Sequence, residues 1–469
     1  MSFLSPTTQT TTAPKPGRYS WTEVLAVVAI LGAFIILGIN AINNRAYIGQ
    51  DFGFHYESTE KILRNSDRWF FMDFTSRPLI YWVGAAGFLL TNDNDGIRTA
   101  ALLSLGSATL GLFIAFDSIR GAITRLQLRL AALAFVTFIP VTVITAVVYA
   151  ADTAAILPFA LVCWSSARLL ESDNPRSRRF AGVVLVFALS ISQFAKFTFI
   201  AVPIAVTAAF LLAGRFKMTG WRVIVTGCLY ALLIPLAIGG WLHQRAQIQL
   251  AGQPARHTYD WRGTGEMTWR SLLWPKSTDR RIFTAPAYWD TAVVDGKEIL
   301  PLIERNSYTY PALLHLGVFT DVLGVTYRNS VAKAAPQFPE KRKASVIAVR
   351  SGLLFSVPIA LSVFLFIFLS LQSILKRQCE FTAATWIWGS LALAWFLPIF
   401  LTLPYVKFVY DWGYWLPRLI LPAIWGFSVI YFSMLDRLAK NAPVLRWLPW
   451  TVCGLTFVQS SLHFWVLWT

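Results

Sequence analysis

The chain has 469 residues, of which 56% are hydrophobic, 15% aromatic and 14% charged. Soluble domains carry about a quarter of their residues as charged side chains, and the mean hydropathy here is +0.54. A soluble enzyme, a disordered scaffold and a disulfide-knit secreted domain are all excluded. The formal net charge of +17 would suggest nucleic acid in a soluble protein. Here Lys and Arg flank apolar runs, where they set topology and meet anionic lipid, so nucleic acid is not an expected partner. The class predicted is an all-α polytopic integral membrane protein with about 11–13 membrane segments.

In chain order, residues 1–20 are rich in Thr and Pro, carry Lys15 and Arg18, and read as a disordered cytoplasmic tail. The apolar run from Trp21 to Ile39 meets the roughly 20 residues that a bilayer requires. No small-residue cleavage site follows it, so it reads as a retained anchor. Further runs lie at 99–116, 130–150, 154–171, 180–213, 221–242, 347–374, 383–404, 419–435 and 447–468. The 180–213 run is too long for one helix and predicts a hairpin turning near Gln193 to Thr198. The organisation expected is an N-terminal transmembrane module over 21–242, an extracytoplasmic loop region over 243–346 and a C-terminal transmembrane module over 347–469. A first loop over 40–77 holds Asp51, His55, Glu57, Glu60, Asp67 and Asp73, and a short aromatic-rich loop covers 405–418.

Basic clusters at Lys15/Arg18, Arg120/Arg125/Arg129, Arg176/Arg178/Arg179, Arg215/Lys217/Arg222, Lys376/Arg377 and Arg437/Lys440/Arg446 read as cytoplasmic. Strict alternation would put Arg120–Arg129 outside if 78–91 crossed the membrane. That run has 14 residues, about 21 Å of helix against a core of about 30 Å, so it is expected to be short, re-entrant or displaced. The first loop, Asp152, the 243–346 region and the 405–418 loop then share one outward face. Lys341-Arg342-Lys343 would also lie outside, a conflict that the weakness of the rule for long loops accommodates.

Five residues draw attention by type and position. Asp51 follows the first span by about a dozen residues; a carboxylate partly shielded at a membrane boundary can serve as a general base. It would equally cap a helix starting at Gly53 or Phe54, and spacing alone favours the cap. Arg77 stands immediately before Pro78 and an apolar segment, suiting it either to a lipid phosphate or to an interfacial anchor with Tyr81 and Trp82 in an aromatic belt. Asp152, in Tyr149-Ala-Ala-Asp152-Thr, sits between two apolar runs. Carboxylates at that depth are costly and read as functional, although Asp is also a good helix cap. Lys196 interrupts an apolar run, and Arg418 stands where the late span beginning at residue 419 enters the membrane. Either would bind a phosphate or snorkel to the headgroups.

The absences also narrow the field. There is no Walker A loop, no Gly-x-Gly-x-x-Gly after a strand, no His-Glu-x-x-His and no Gly-x-Ser-x-Gly, so nucleotide-driven transport, dinucleotide chemistry and zinc proteolysis lose support. The four cysteines lie far apart, and no two of the five histidines are spaced i, i+4. Neither a disulfide framework nor a metal cage is expected.

Taken in order, Gly49-Gln-Asp51-Phe-Gly-Phe-His55-Tyr-Glu57, Arg77-Pro78-Leu-Ile-Tyr-Trp82, Tyr149-Ala-Ala-Asp152, Gln193-Phe-Ala-Lys196-Phe-Thr-Phe and Tyr414-Trp-Leu-Pro-Arg418-Leu-Ile-Leu-Pro resemble a known pattern. It is that of the polytopic GT-C glycosyltransferases that use lipid-phosphate-linked sugars, in the aminoarabinose transferase and protein O-mannosyltransferase branch. The first four segments carry the match, over roughly residues 20–215. The resemblance implies a GT-C-like membrane fold and inverting transfer from a polyprenyl-phosphate donor to a glycan, lipid or protein acceptor. It implies a bacterial inner membrane with the site facing the periplasm. Asp51 would be the catalytic base and Asp152 a second acid of the cavity; His55, Arg77, Lys196 and Arg418 would bind substrate or its lipid phosphate. Two positions depart from the pattern. Phe52 stands where the family usually has Glu, which weakens a paired-acid or metal role, and Arg77 stands where Lys is common. No cofactor is expected, with a divalent metal left open. The competing readings are an ion-coupled secondary transporter, in which Asp51, Asp152 and Lys196 would form the site, and a lipid-linked-saccharide flippase. Transporters favour internal repeats and charges at the midplane, and neither is evident here.

Overall fold

The computed structural model describes residues 19–45, 47–48, 52–64, 77–91, 96–251, 268–283, 292–294, 297–299, 308–319, 339–377, 379, 381–405, 417–439, 442 and 447–468. Helix α1 covers Trp21–Asn43, α2 Phe52–Arg64, α3 Pro78–Thr91, α4 Gly96–Ala122, α5 Leu126–Phe138 and α6 Pro140–Val147. Helix α7 covers Ile156–Glu171, α8 Pro175–Ala195, α9 Val202–Arg215, α10 Trp221–Ala251, α11 Trp269–Leu273 and α12 Tyr310–Phe319. The remainder are α13 Pro339–Lys376, α14 Ala383–Thr402, α15 Leu421–Leu438 and α16 Leu448–Trp468. A short antiparallel pair, Ala292–Val294 with Lys297–Ile299, is the exception to helix among the described residues.

Among the described residues, eight helices are long and apolar enough to cross a membrane, nine if one bent pair counts as a single span. The chain is an integral membrane protein. Three shorter apolar helices, α3, α9 and α12, accompany these spans among the described residues. Burial separates centre from rim. The α7 and α15 windows are 72% and 78% buried, while that of α13 is 17% buried; α13 therefore faces lipid and α7 and α15 form the middle.

The bent pair is α5 and α6, at 55°, where the sequence suggests one continuous span. Pro140 supplies the break: it cannot donate a backbone hydrogen bond, and it pushes the preceding residue out of helical geometry. Ile139 accordingly adopts φ −58°, ψ 133°. The 180–213 run is interrupted at Lys196, which is extended at φ −155°, ψ 148°, within the expected turn.

The helix ends sort into two layers. Arg98 at the start of α4 donates to Asn43 at the end of α1, at 2.7 Å. Arg120 at the end of α4 pairs with Glu23 at the start of α1, at 3.3 Å. The chain between α1 and α4 thus leaves and returns at the same end, and α3 does not cross. Arg120 and Arg129, which also pairs with Glu23 at 3.4 Å, therefore lie with the start of α1, as the basic clusters require. The same end gathers further buried charge. Asp117 accepts from Tyr19 Oη (2.6 Å), Trp164 Nε1 (2.7 Å) and Arg168 (2.8 Å). Asp436 accepts from Thr124 N and Oγ1 at 2.8 and 2.6 Å.

Helix α3 docks on α4 through two glycines. A Cβ on Gly87 would collide with the Gly96 carbonyl and lie 2.8 Å from Ala100 N, backbone atoms that cannot swing aside. Gly87→Ala is expected to cost about 1–3 kcal/mol, seen as a lower melting temperature in detergent. An unchanged transition would contradict this packing.

At the opposite end, the described part of 243–346 packs onto the bundle. Leu272, Ile282, Tyr308, Tyr310, Leu313 and Leu316 form a core with Ile144, Val148 and Leu403. Asp279 fastens it by accepting from Thr309 N (2.8 Å) and Lys276 N (2.9 Å). Residues 341–343 belong to the N-terminal part of α13, at the end where Arg350 donates to Phe283 O (2.9 Å).

Candidate functional site

The break after α6 positions Asp152. The residue is followed by a 3-10 turn, Thr153–Ala155, but its side chain makes no cap hydrogen bond to that turn. Thr153 ties the segment down by donating to the carbonyls of Thr145 (2.5 Å) and Val148 (2.6 Å). The Asp152 carboxylate is free to face inward instead. One oxygen is in direct contact with Lys196 Nζ, and the other lies 3.2 Å from Arg418 Nε. All three side chains are 5–9% exposed.

Each partner is delivered by a helix discontinuity. Lys196 occupies the extended residue between α8 and the 3-10 turn Phe197–Ala201, where the chain reverses. Arg418 sits in the 3-10 turn Pro417–Ile420 that opens α15. Neither side chain snorkels, and Asp152 is not spent as a cap. A buried ion pair survives only with good geometry and further hydrogen bonds, so three charges at broken helix ends form a costly arrangement of the kind that marks functional sites in membranes.

Beside the cluster is a small cavity with room for about one water, lined by Asp152, Arg418, Ile156, Phe159, Trp395 and Trp425, among others. Its lining joins the charged groups to aromatic and aliphatic side chains. The indole N–H groups are satisfied, Trp395 on Leu419 O (2.8 Å) and Trp425 on Thr142 Oγ1 (3.0 Å), which fixes both rings as walls. In the sequence these tryptophans fall inside the 383–404 and 419–435 apolar runs. A buried Trp needs a partner for its N–H, but nothing in the sequence names that partner.

His55 and Arg77 are also buried, at 3% exposure each. His55 lies on α2 with its ring 5.8 Å from Tyr81 and 6.1 Å from Tyr149. Arg77 precedes α3 and donates to Leu242 O on α10 at 3.2 Å. Tyr81 is fully buried, so it belongs to the core and not to an interfacial belt; Trp82 packs on Phe194 at 5.4 Å. Asp51 lies outside the described residues. Helix α2 begins at Phe52, directly after it and slightly ahead of the expected start. Among the described residues no group of three or more His, Cys, Asp or Glu side chains could hold a metal ion.

Fold and site together define a polytopic integral membrane protein with a buried three-charge cluster at one end of the bundle. No family model and no curated protein sequence matches the chain. Among solved structures it is similar to ArnT from Cupriavidus metallidurans in the apo state, at 15% identity and a TM-score of 0.37, over 90% of this chain and 78% of that one.

Proposed function

We propose that the protein is a GT-C-type glycosyltransferase that moves a sugar from a polyprenyl-phosphate donor to an acceptor outside the cytoplasm. The observation that carries the reading is the buried Asp152–Lys196–Arg418 cluster. A lipid phosphate is itself a good leaving group, so the reaction needs fixed cations for the departing charge and one base for the acceptor. Lys196 and Arg418 are the cations for the phosphate, oriented by Asp152 between them. His55 and Arg77 line the donor side, and Asp51, one residue ahead of α2, is the base. In-line displacement by the acceptor breaks the bond between the anomeric carbon and the phosphate oxygen. The acceptor proton goes to Asp51, the phosphate leaves on the lipid, and the anomeric centre inverts.

The basic end of the bundle, with Arg120, Arg129 and Arg168, supports a cytoplasmic assignment for that end. On this reading the Asp152 cluster, at the other end, faces outward, and the membrane proposed is a bacterial inner membrane with the site on its periplasmic side. The test is incubation of purified protein with a series of radiolabelled polyprenyl-phosphate sugars and membrane extract. Label passing from lipid to an acceptor is expected, and label remaining on the lipid for every donor would overturn the reading in favour of a transporter or flippase. Transfer is expected to persist after chelation, because the chemistry described needs no divalent ion. Loss on chelation with recovery on adding Mg²⁺ or Mn²⁺ would refute this.

A further inference from the structure

Tyr149 stands three residues before Asp152 and is fully buried, yet it takes no part in the charge cluster. Its side chain reaches the first loop instead. The hydroxyl lies 2.7 Å from Thr59 Oγ1 on α2 and 3.0 Å from Ile80 O on α3. The ring meets His55 edge-on at 6.1 Å, and the backbone N–H donates to Tyr47 O at 3.1 Å. One residue thereby joins residue 47, α2 and α3 to the segment that carries Asp152.

The hydroxyl chain is self-consistent. Thr59 Oγ1 is also 2.8 Å from His55 O. Tyr149 and Thr59 have one proton each, and at 2.7 Å a proton must lie between their two oxygens, which leaves two arrangements. In one, Tyr149 donates to Ile80 O and Thr59 to Tyr149; in the other, Tyr149 donates to Thr59 and Thr59 to His55 O. Both keep the Tyr149–Thr59 link. His55 and Thr59 are four residues apart and share one face of α2, so a displacement of Thr59 moves His55 and the start of the helix with it.

A glycine preserves the arrangement. A Cβ on Gly84 of α3 would overlap the Tyr149 hydroxyl and stand 2.9 Å from both Thr59 Cγ2 and Oγ1. The hydroxyl occupies the space that any side chain at position 84 would fill.

We propose that Tyr149 is a positioning residue whose hydroxyl, in the space kept open by Gly84, seats α2 and α3 on the Asp152 segment. Its effect on turnover rests on the transferase reading; the seating does not. Tyr149→Phe removes the hydroxyl and keeps the ring. Gly84→Ala keeps the hydroxyl and expels it. The double variant removes the closest overlap and leaves the tight Thr59 contacts.

The test uses full-length protein in detergent, with hydrogen–deuterium exchange over Phe52–Arg64 and Pro78–Thr91 and Ile156–Glu171 as internal reference. Transfer is then measured as kcat and donor KM. Both single variants are expected to raise exchange in α2 and α3 but not in the reference helix. They should lower kcat about tenfold to a hundredfold, the range for a slightly misplaced catalytic group, and raise donor KM by a smaller factor, since His55 shifts while Lys196 and Arg418 stay in place. Gly84→Ala should be the more severe, and adding Tyr149→Phe should recover part of its loss. Unchanged exchange in α2 and α3, or a double variant as impaired as the product of the singles, would overturn the proposal. If exchange responds as expected while wild type transfers no sugar, the seating stands and the transferase reading fails.

Discussion

Asp152→Ala is expected to be the most destabilising single change in the site. The carboxylate separates an ammonium from a guanidinium, touching the first and lying 3.2 Å from the second. Removing it leaves two like charges facing each other where water has little access. Breaking a buried ion pair from one side costs about 3–5 kcal/mol, because the stranded charge keeps its desolvation penalty and loses its partner. Lys196→Met should cost less, since Asp152 retains Arg418. In Asp152→Asn/Lys196→Met the polar remainder is neutral at both positions, so the double variant should be more stable than the sum of the singles implies, with a coupling of about 0.5–3 kcal/mol. Thermal unfolding in detergent reads all of these. An Asp152→Ala transition within a degree of wild type would show that the cluster contributes nothing.

Asp51→Asn is expected to have the largest effect on turnover. Asparagine keeps the size and the helix-capping ability of aspartate and loses only the capacity to accept a proton. A positioned general base contributes about 10²–10⁴ in rate, so kcat should fall by that factor while the melting temperature and donor binding stay near wild type. Donor binding is measurable separately with a fluorescent polyprenyl phosphate. A variant with wild-type turnover would remove Asp51 from the chemistry and leave it as the cap that spacing alone favours.

How far the sequence reveals this arrangement depends on the physical origin of each feature. Membrane class and most spans follow from apolar run length, a local property. The failure of α3 to cross was also legible, because 14 residues cannot reach through the hydrocarbon, and the contacts of Arg98 with Asn43 and Arg120 with Glu23 agree. The break between α5 and α6 was visible as Pro140 but hidden by the continuity of hydrophobic residues around it. Asp152, Lys196 and Arg418 each stood out singly as charges beside apolar runs. Their pairing is a tertiary fact with no local signature, since each alone fits a cap or a snorkelling side chain equally well. The tryptophan walls and the Tyr149 hydroxyl were still less accessible. A Trp or Tyr in an apolar run reads as core, and only the position of its polar atom distinguishes a wall or a pin from filling.

The most direct measurement is photo-crosslinking of the purified protein with a diazirine-bearing polyprenyl phosphate, followed by peptide mapping. Label competed by unmodified polyprenyl phosphate should fall on the segments around Lys196 and Arg418. Label confined to the lipid-facing helix Val346–Lys376, and indifferent to competitor, would contradict a lipid-phosphate site at the Asp152 cluster.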